Sequence, residues 1–229
     1  MGRLWIQPFG QYRGLGMRCA PGTHEAAQAL LDRHGIRPGS ALDLAAGSGA
    51  FVLRLKDLGV AHVEAVERDV DNFKADGIAV RPLDLNEPFA AKFDRRFDLV
   101  SAIEIIEHLD SPRQFLREAR QLLADDGRLL LSTPNVGNWR GRLKFLRSGD
   151  LRGFDEANYR FQRHISPLTL TQLRALLTEC GLRVIASTTA GDFAGPLRRA
   201  LTLPLSMVFR LLCGAGVVGE ERLFLAARA

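Results

Sequence analysis

Cysteine is scarce in this sequence, and its three residues lie far apart. Cys19, Cys180 and Cys213 form no Cys-x-x-Cys pair in a chain of 229 residues. Their odd number and wide spacing exclude a disulfide framework and a zinc site built from thiolates. A chain without disulfides suits a reducing compartment, so we expect the protein to be cytoplasmic.

Long apolar runs and sequence repeats are missing as well. The first 18 residues contain no apolar core of the kind that a secretory signal needs. The best apolar candidate, 200–209, is uncharged for only ten residues, whereas a membrane span needs about 20. Neither a solenoid-type repeat nor a low-complexity run occurs. We therefore expect a single globular domain over 1–229.

Positive charge is concentrated in the second part of the chain. Residues 1–136 hold 17 Arg and Lys against 19 Asp and Glu, whereas residues 137–229 hold 14 against 7. A basic region favours an anionic partner such as a phosphate, a nucleic acid or a lipid headgroup. A basic surface without any specific partner would give the same counts of charged residues. The charge distribution therefore does not identify the partner.

Short apolar runs alternate with amphipathic helical runs, which is typical of a parallel α/β sheet. Helices are predicted over 23–33, 50–58, 111–124 and 168–180. Strands are predicted over 41–45, 62–67, 78–83, 97–103, 128–132, 182–187 and 222–227. We expect a Rossmann-like, doubly wound, seven-stranded and mostly parallel sheet with helices on both faces. The stretches 135–165 and 191–219 interrupt the alternation and are predicted to be cap or insertion segments.

The first strand leads into a Gly-x-Gly turn and a helix, whose free N–H groups can bind a ligand. Val52 stands where a dinucleotide site has its third glycine, and no phosphate-loop lysine follows. Asp43, at the end of the strand, would repel a pyrophosphate and suits a cationic ligand. Glu67 ends the second strand, where it can hold a ribose diol, and Asp84 ends the third, within reach of an adenine amino group. Each such charge-assisted hydrogen bond contributes about 1.5–3 kcal/mol.

These residues resemble class I S-adenosylmethionine-dependent methyltransferases of the type 11 and type 23 kinds. The resemblance covers about 23–190, and the chain is similar to ubiquinone-pathway O-methyltransferases and methionine-biosynthesis-associated methyltransferases. Ala45 stands where the family usually has Gly, and the Asn-Pro-Pro-Tyr element of amino-methylating DNA enzymes is absent. The matching stretches are LDLAAGSGAF at 42–51, VEAVE at 63–67, LDLN at 83–86, FDLVSAIEIIEHLDSP at 97–112 and GRLLLSTPN at 127–135.

The resemblance implies an S-adenosylmethionine site and a role for each matching residue. It implies that Asp43 lies near the amino group of the ligand, that Glu67 takes the ribose hydroxyls and that Asp84 reads the adenine edge. The cofactor-binding residues that it implies are Asp43, Ala45, Gly47, Gly49, Glu67, Arg68, Asp84, Leu85, Ala102 and Glu104.

Methyl transfer from a sulfonium is an in-line displacement, so positioning supplies much of the rate, up to about 7–11 kcal/mol. A hydroxyl acceptor also needs a base or a metal to remove its proton. Our candidate catalytic residues are His108, His164 and Glu107. In a helix, the spacing of Glu104, Glu107 and His108 would bring them to one face.

A divalent metal is the alternative to a metal-free site. Two carboxylates and two imidazoles can bind magnesium, manganese or zinc. The Glu-x-x-Glu-His pattern with a later His is similar to that of small-RNA 3′-end 2′-O-methyltransferases, which implies Glu104, Glu107, His108 and His164 as the metal ligands.

Two further stretches bear on the partner. Residues 137–163 interleave arginines with aromatic residues, which can stack bases or form an amphipathic lid. A helix over 139–147, with Trp139, Leu143 and Leu146 on one face, favours packing. Residues 196–213 suit an interfacial helix on lipid, a dimer contact or the wall of a substrate tunnel.

The expected function is therefore methyl transfer from S-adenosylmethionine to the oxygen of a small-molecule, lipid-linked or glycan acceptor. The alternatives are metal-assisted 2′-O-methylation of RNA ends and a nucleotide-binding relative without turnover. Peripheral membrane contact and a homodimer stay open as further partner hypotheses.

Overall fold

Nine strands are present in the computed structural model, within the residues that it describes, 9–194 and 196–229. A two-stranded hairpin precedes a seven-stranded sheet. The strands are β1 (Gly10–Tyr12), β2 (Leu15–Met17), β3 (Ser40–Leu44), β4 (His62–Val66), β5 (Ala79–Arg81), β6 (Phe97–Ala102), β7 (Leu123–Pro134), β8 (Leu182–Ala190) and β9 (Glu221–Arg228).

The large sheet has the strand order β5-β4-β3-β6-β7-β9-β8. The four pairs from β5 to β7 are parallel, and only β9 runs antiparallel to its neighbours β7 and β8. The prediction of a Rossmann-like, mostly parallel seven-stranded sheet is confirmed. The order reverses at β3, which pairs with both β4 and β6, so a ligand crevice is expected outside the carboxyl ends of these strands.

Seven helices lie within the described residues: α1 (Thr23–Arg33), α2 (Ala50–Asp57), α3 (Pro112–Gln121), α4 (Trp139–Ser148), α5 (Glu156–Gln162), α6 (Leu170–Glu179) and α7 (Pro196–Cys213). Helices α1 and α2 cover one face of the large sheet, and α3 and α6 cover the other. Local signals set several starts: the Ser111 side chain accepts from the Gln114 N–H ahead of α3, and Thr169 with Gln172 forms a capping box on α6. Short 3-10 helices complete the connections, among them Ile106–His108.

The core has two layers because side chains alternate across each strand. Leu42 and Leu44 of β3 pack with α3 and α6 on one face, whereas Ala41 packs with α1 and α2 on the other. Both clusters are fully buried at their centres. This arrangement leaves only the strand ends and the connecting loops for ligands.

Two sequence expectations differ from the structure, and one structural element was not predicted at all. The helix predicted over 111–124 ends at Gln121, because β7 begins at Leu123 and extends the strand predicted over 128–132. The expected packing of 139–147 holds for buried Trp139 but not for Leu146, which is 81% exposed. The hairpin of β1 and β2 carried no clear sequence signal, since each strand has only three residues.

No helix among the described residues is both long enough and apolar enough to span a membrane. Of the two stretches predicted to be cap or insertion segments, 135–165 contains α4 and α5, and 191–219 contains α7.

Candidate active site

A cavity of about 990 Å³ opens at the carboxyl ends of the parallel strands. One acidic or amide residue at or after each strand lines it: Asp43 of β3, Glu67 after β4, Asp84 after β5, Glu104 after β6 and Asn135 after β7. Because parallel strands end at one edge of the sheet, side chains distant in sequence converge here.

Asp43 is buried at the floor of the cavity. The Ser101 hydroxyl donates a hydrogen bond of 2.5 Å to its Oδ1. Burial raises the pKa of Asp43 to about 7, the Ser101 hydrogen bond opposes this rise, and the charge of Glu67 adds to it. A cationic group placed beside Asp43 would favour its ionised form.

The turn after β3 places backbone, rather than side chains, against the cavity. Ala45 has φ of 63° and Gly47 has φ of 56°, both in the left-handed region. A Cβ added to Gly47 would meet no atom within 4 Å, so the turn leaves open space for a ligand. A Cβ added to Gly49 would lie 2.6 Å from the Ala75 Cβ, so this glycine serves close packing.

Backbone amides hold Glu67 in place. The Gly47 N–H donates to its Oε2 at 2.8 Å, and the Asp69 N–H donates to its Oε1 at 3.1 Å. Asp84 accepts from the Asn86 N–H at 2.9 Å, and the Arg68 guanidinium lies 4.0 Å from its Oδ2. Both carboxylates are therefore oriented before any ligand binds.

Not every residue that the resemblance implied for the cofactor lines the cavity. Gly49 faces Ala75, and Ala102 is fully buried in the core. The implied residues that do line it are Asp43, Ala45, Gly47, Glu67, Arg68, Asp84, Leu85 and Glu104.

Three glutamates line the other part of the cavity: Glu107 and Glu221, which are buried, and Glu104, which is half-buried. Ser132 Oγ donates to Glu104 Oε1 at 2.7 Å, and Thr133 Oγ1 donates to Glu107 Oε2 at 3.2 Å. Glu107 Oε1 and Glu221 Oε2 have no hydrogen-bond partner among the described residues. Burial raises the pKa of all three carboxyls, and their mutual repulsion raises those of Glu107 and Glu221 further.

Two histidines face this acid cluster. The rings of His108 and His164 meet edge to face, with centroids 4.7 Å apart. Burial lowers the pKa of His108 to about 4 and also lowers the pKa of His164, so both rings are neutral at pH 7. His164 Nδ1 lies 2.7 Å from the Gly153 carbonyl oxygen, which fixes its proton on Nδ1 and leaves Nε2 as an acceptor.

One potential ligand atom from each of Glu107, His108 and His164 lies within 4.8 Å of the others. Neutral imidazoles and an unpartnered buried carboxylate oxygen are donors that a divalent cation binds, so these residues fit a metal. Glu104 lies outside this group. It adopts a left-handed φ of 52°, and only Ile106–His108 is helical, so the shared helix face expected for Glu104, Glu107 and His108 is not formed.

Sequence reasoning missed three parts of the cavity wall: Cys19, the N-terminal hairpin at Gly16, and Glu221. Cys19, ahead of α1, lines the cavity as a thiol whose pKa burial raises to about 12. The Gly16 carbonyl accepts a 2.7 Å hydrogen bond from Ser48, which fixes the N-terminal hairpin on the glycine turn. Glu221 reaches the cavity from β9, and its only sequence signal is an acidic pair, 220–221, in a basic region.

The 135–165 segment is held over the cavity by ion pairs. Arg152 donates to both carboxylate oxygens of Glu220 at 2.8 and 3.0 Å, and Arg140 bridges Glu220 and Asp192. Several residues of this segment line the cavity, among them Lys144, Arg152 and Phe161. None of the described side chains of 197–213 lines it, so that stretch is not the wall of this cavity.

The comparisons with known proteins agree with this geometry. A family model for the methyltransferase domain matches residues 17–187. No curated protein sequence matches the chain.

Solved structures show the same fold. A SAM-dependent methyltransferase from Archaeoglobus fulgidus is 17% identical with a TM-score of 0.62, covering 89% of this chain and 94% of that one. An S-adenosylmethionine-dependent methyltransferase from Mesorhizobium loti is 15% identical with a TM-score of 0.60, covering 90% and 99%. The mitomycin 7-O-methyltransferase MmcR is 18% identical with a TM-score of 0.58, covering 95% and 56%.

The matched region contains the strand-end acids, the glycine turn and both histidines. The prediction of an enzyme that uses S-adenosylmethionine and binds a methyl acceptor is confirmed. The chain belongs to the methyltransferase domain family and is an S-adenosylmethionine-dependent methyltransferase.

Proposed function

We propose that this enzyme methylates a hydroxyl oxygen of a small-molecule, lipid-linked or glycan acceptor. One observation carries the proposal: the neutral rings of His108 and His164 line the same cavity as the strand-end acids. An oxygen acceptor needs such a group because a hydroxyl becomes a strong nucleophile only as its proton leaves.

In the proposed complex, the cofactor lies along the strand-end acids. Asp43 binds its amino group, Glu67 binds the ribose hydroxyls, and Asp84 with Leu85 binds the adenine edge. The two amide hydrogen bonds on Glu67 support this role, since they orient its carboxylate in advance. When bound, S-adenosylmethionine supplies a methyl group on a sulfonium whose sulfur leaves as a neutral thioether, so no acid is needed at the leaving group.

The glycine turn accommodates the methionine part of the cofactor. The open space beside Gly47 supports backbone contact there and at Ala45. Arg68 flanks the adenine at the open side of the cavity. Gly49 and Ala102 act indirectly, by packing the turn and the end of β6.

His164 is the proposed base. As the acceptor oxygen forms its bond to the methyl carbon, the hydroxyl proton passes to Nε2 of His164, which becomes an imidazolium. Glu107 belongs to the same cluster, and the imidazolium would favour its ionised form, whose carboxylate then stabilises that charge. His108 packs edge to face on the base and holds its ring.

Turnover with a panel of acceptors tests the proposal. Release of S-adenosylhomocysteine should appear with a hydroxyl-bearing acceptor and should fall at least about a hundredfold in His164→Asn, the range for loss of a general base. His34→Asn is the control, since His34 is exposed and lies outside the cavity. Methylation of an amine or a carbon acceptor, with no effect of His164→Asn, would contradict the proposal.

The cluster of Glu107, His108 and His164 favours a second candidate, metal-assisted O-methylation, including that of RNA ends. These three residues would hold a divalent cation, which would lower the pKa of a bound hydroxyl. Titration calorimetry with Mn²⁺ alone tests this candidate. Binding that is lost in His164→Asn would support it, and no heat of binding would remove it.

A further inference from the structure

Helix α7 presents its apolar side chains to solvent. Its half-buried side chains are Thr202, Ser206 and Phe209, whose spacing marks the face that packs on the protein. A surface helix of a globular protein usually packs its large apolar residues inward. Here they are 42–86% exposed: Leu197, Leu201, Leu203, Leu205, Met207, Val208, Leu211 and Leu212.

The exposed apolar surface continues onto α4. The ring of Trp139 lies 6.1 Å from that of Phe209 between centroids, and the Arg142 guanidinium lies 3.4 Å from the Cys213 sulfur. The first turn of α4 therefore meets the C-terminal end of α7. Because α4 exposes Phe145 and Leu146, the two helices share an apolar surface much larger than scattered single residues would give.

The charge of this surface has one sign. Neither α4 nor α7 contains an Asp or Glu, and together they carry seven Arg and Lys. Some of these are neutralised, since Arg199 pairs with Asp192 and Lys144 pairs with Asp155. Within the described residues, no ion pair forms at Arg147, Arg198 or Arg210. Leucine-rich helices flanked by unpaired arginines bind anionic lipid surfaces.

We propose that α7 and the exposed side of α4 form a docking surface for an anionic lipid bilayer. The helix would lie in the plane of the interface, because it lacks the apolar length to cross the membrane. A second copy fits this surface less well, since a two-fold contact would bring the same arginines of both copies together.

The docking surface adjoins the mouth of the cavity. Phe161 and Phe193 line the cavity and are about half exposed, and Phe193 lies three residues before α7. Of the acceptor classes in the proposed function, this position favours the lipid-linked one. That preference rests on the proposed function, whereas the docking itself does not.

Vesicle flotation of the full chain tests the docking surface. Vesicles of phosphatidylcholine with about 30% phosphatidylglycerol should bind the protein at least about tenfold better than phosphatidylcholine alone. The double variant Leu201→Glu/Leu211→Glu should lose that binding, and Arg198→Gln/Arg210→Gln should weaken it about threefold to tenfold. Val70→Glu is the matched control, because Val70 is exposed in another part of the protein.

Three results would overturn the proposal. They are equal binding to both vesicle types, retained binding in Leu201→Glu/Leu211→Glu, and a dimer in light scattering that this double variant dissociates. The last result would assign the surface to a second copy. Binding of S-adenosylhomocysteine by each variant shows that it is folded. If the protein binds vesicles but transfers no methyl group, the proposed function is contradicted and the proposed docking surface is not.

Discussion

The two parts of the cavity differ in how their carboxylates are partnered. In the proposed cofactor part, backbone amides hold both oxygens of Glu67, and Ser101 holds Asp43. In the proposed acceptor part, Glu107 and Glu221 each leave one buried oxygen without a hydrogen-bond partner among the described residues, and His108 Nε2 lies 3.8 Å from that Glu107 oxygen. Buried polar groups are normally paired, and exceptions call for an explanation. The carboxylates of the proposed cofactor part are therefore already oriented, whereas those of the proposed acceptor part keep oxygens that can still accept a hydrogen bond.

The largest effect is expected at Glu67. Glu67→Ala removes the proposed ribose ligand and frees the Gly47 and Asp69 amides, so S-adenosylhomocysteine affinity should fall about a hundredfold, or about 3 kcal/mol. Titration calorimetry measures the loss, and Glu67→Gln should show a smaller one. Glu156→Ala at the surface should change nothing. Unchanged affinity in Glu67→Ala would remove the ribose assignment.

The pH dependence of cofactor affinity tests Asp43. Its pKa of about 7 in the free protein means that it is mostly protonated at pH 6. A cationic amino group favours the ionised form, so binding releases a proton and affinity rises with pH. Between about pH 6 and pH 8 the gain should approach tenfold. Calorimetry in buffers of different ionisation enthalpy detects the proton, and Asp43→Asn should show neither the release nor the rise.

Glu221 gives the matching test in the acceptor part. Glu221→Gln removes one carboxyl from a repelling buried cluster while keeping its shape, so the protein should become about 1 kcal/mol more stable. Thermal unfolding should show this as a rise of about 2–4 °C. Affinity for S-adenosylhomocysteine should stay within about twofold of that of the unmodified protein, because Glu221 lies in the proposed acceptor part of the cavity and not in the proposed cofactor part. Destabilisation with lost cofactor affinity would mean that the two parts are not separate.

Ala45 carries the smallest expected effect. Its φ of 63° is unfavourable for a residue with a Cβ, so Ala45→Gly relieves strain of about 1 kcal/mol. Glycine also makes the unfolded chain more flexible than alanine does, which offsets part of that gain. The free energy of unfolding, measured by thermal unfolding, should therefore rise by about 0.5 kcal/mol. Ala46→Gly is the neighbouring control and should destabilise, because Ala46 has no positive φ.

The strand-end acids could be predicted from sequence because each one follows its own apolar run. Glu221 could not, since it depends on β9 pairing with β7 in a register that sets Glu221 opposite Pro134. No local pattern encodes that pairing. Periodicity likewise showed that 139–147 has an apolar stripe but not how much of it the fold covers, so the exposure of Leu146 was unforeseen.

A crystal structure of the enzyme with S-adenosylhomocysteine tests the central claim most directly. We predict ribose hydroxyls on the Glu67 carboxylate, the amino group beside Asp43, and the sulfur directed toward His164 and Glu107. A nucleoside bound outside this cavity, or a sulfur directed away from both histidines, would contradict it.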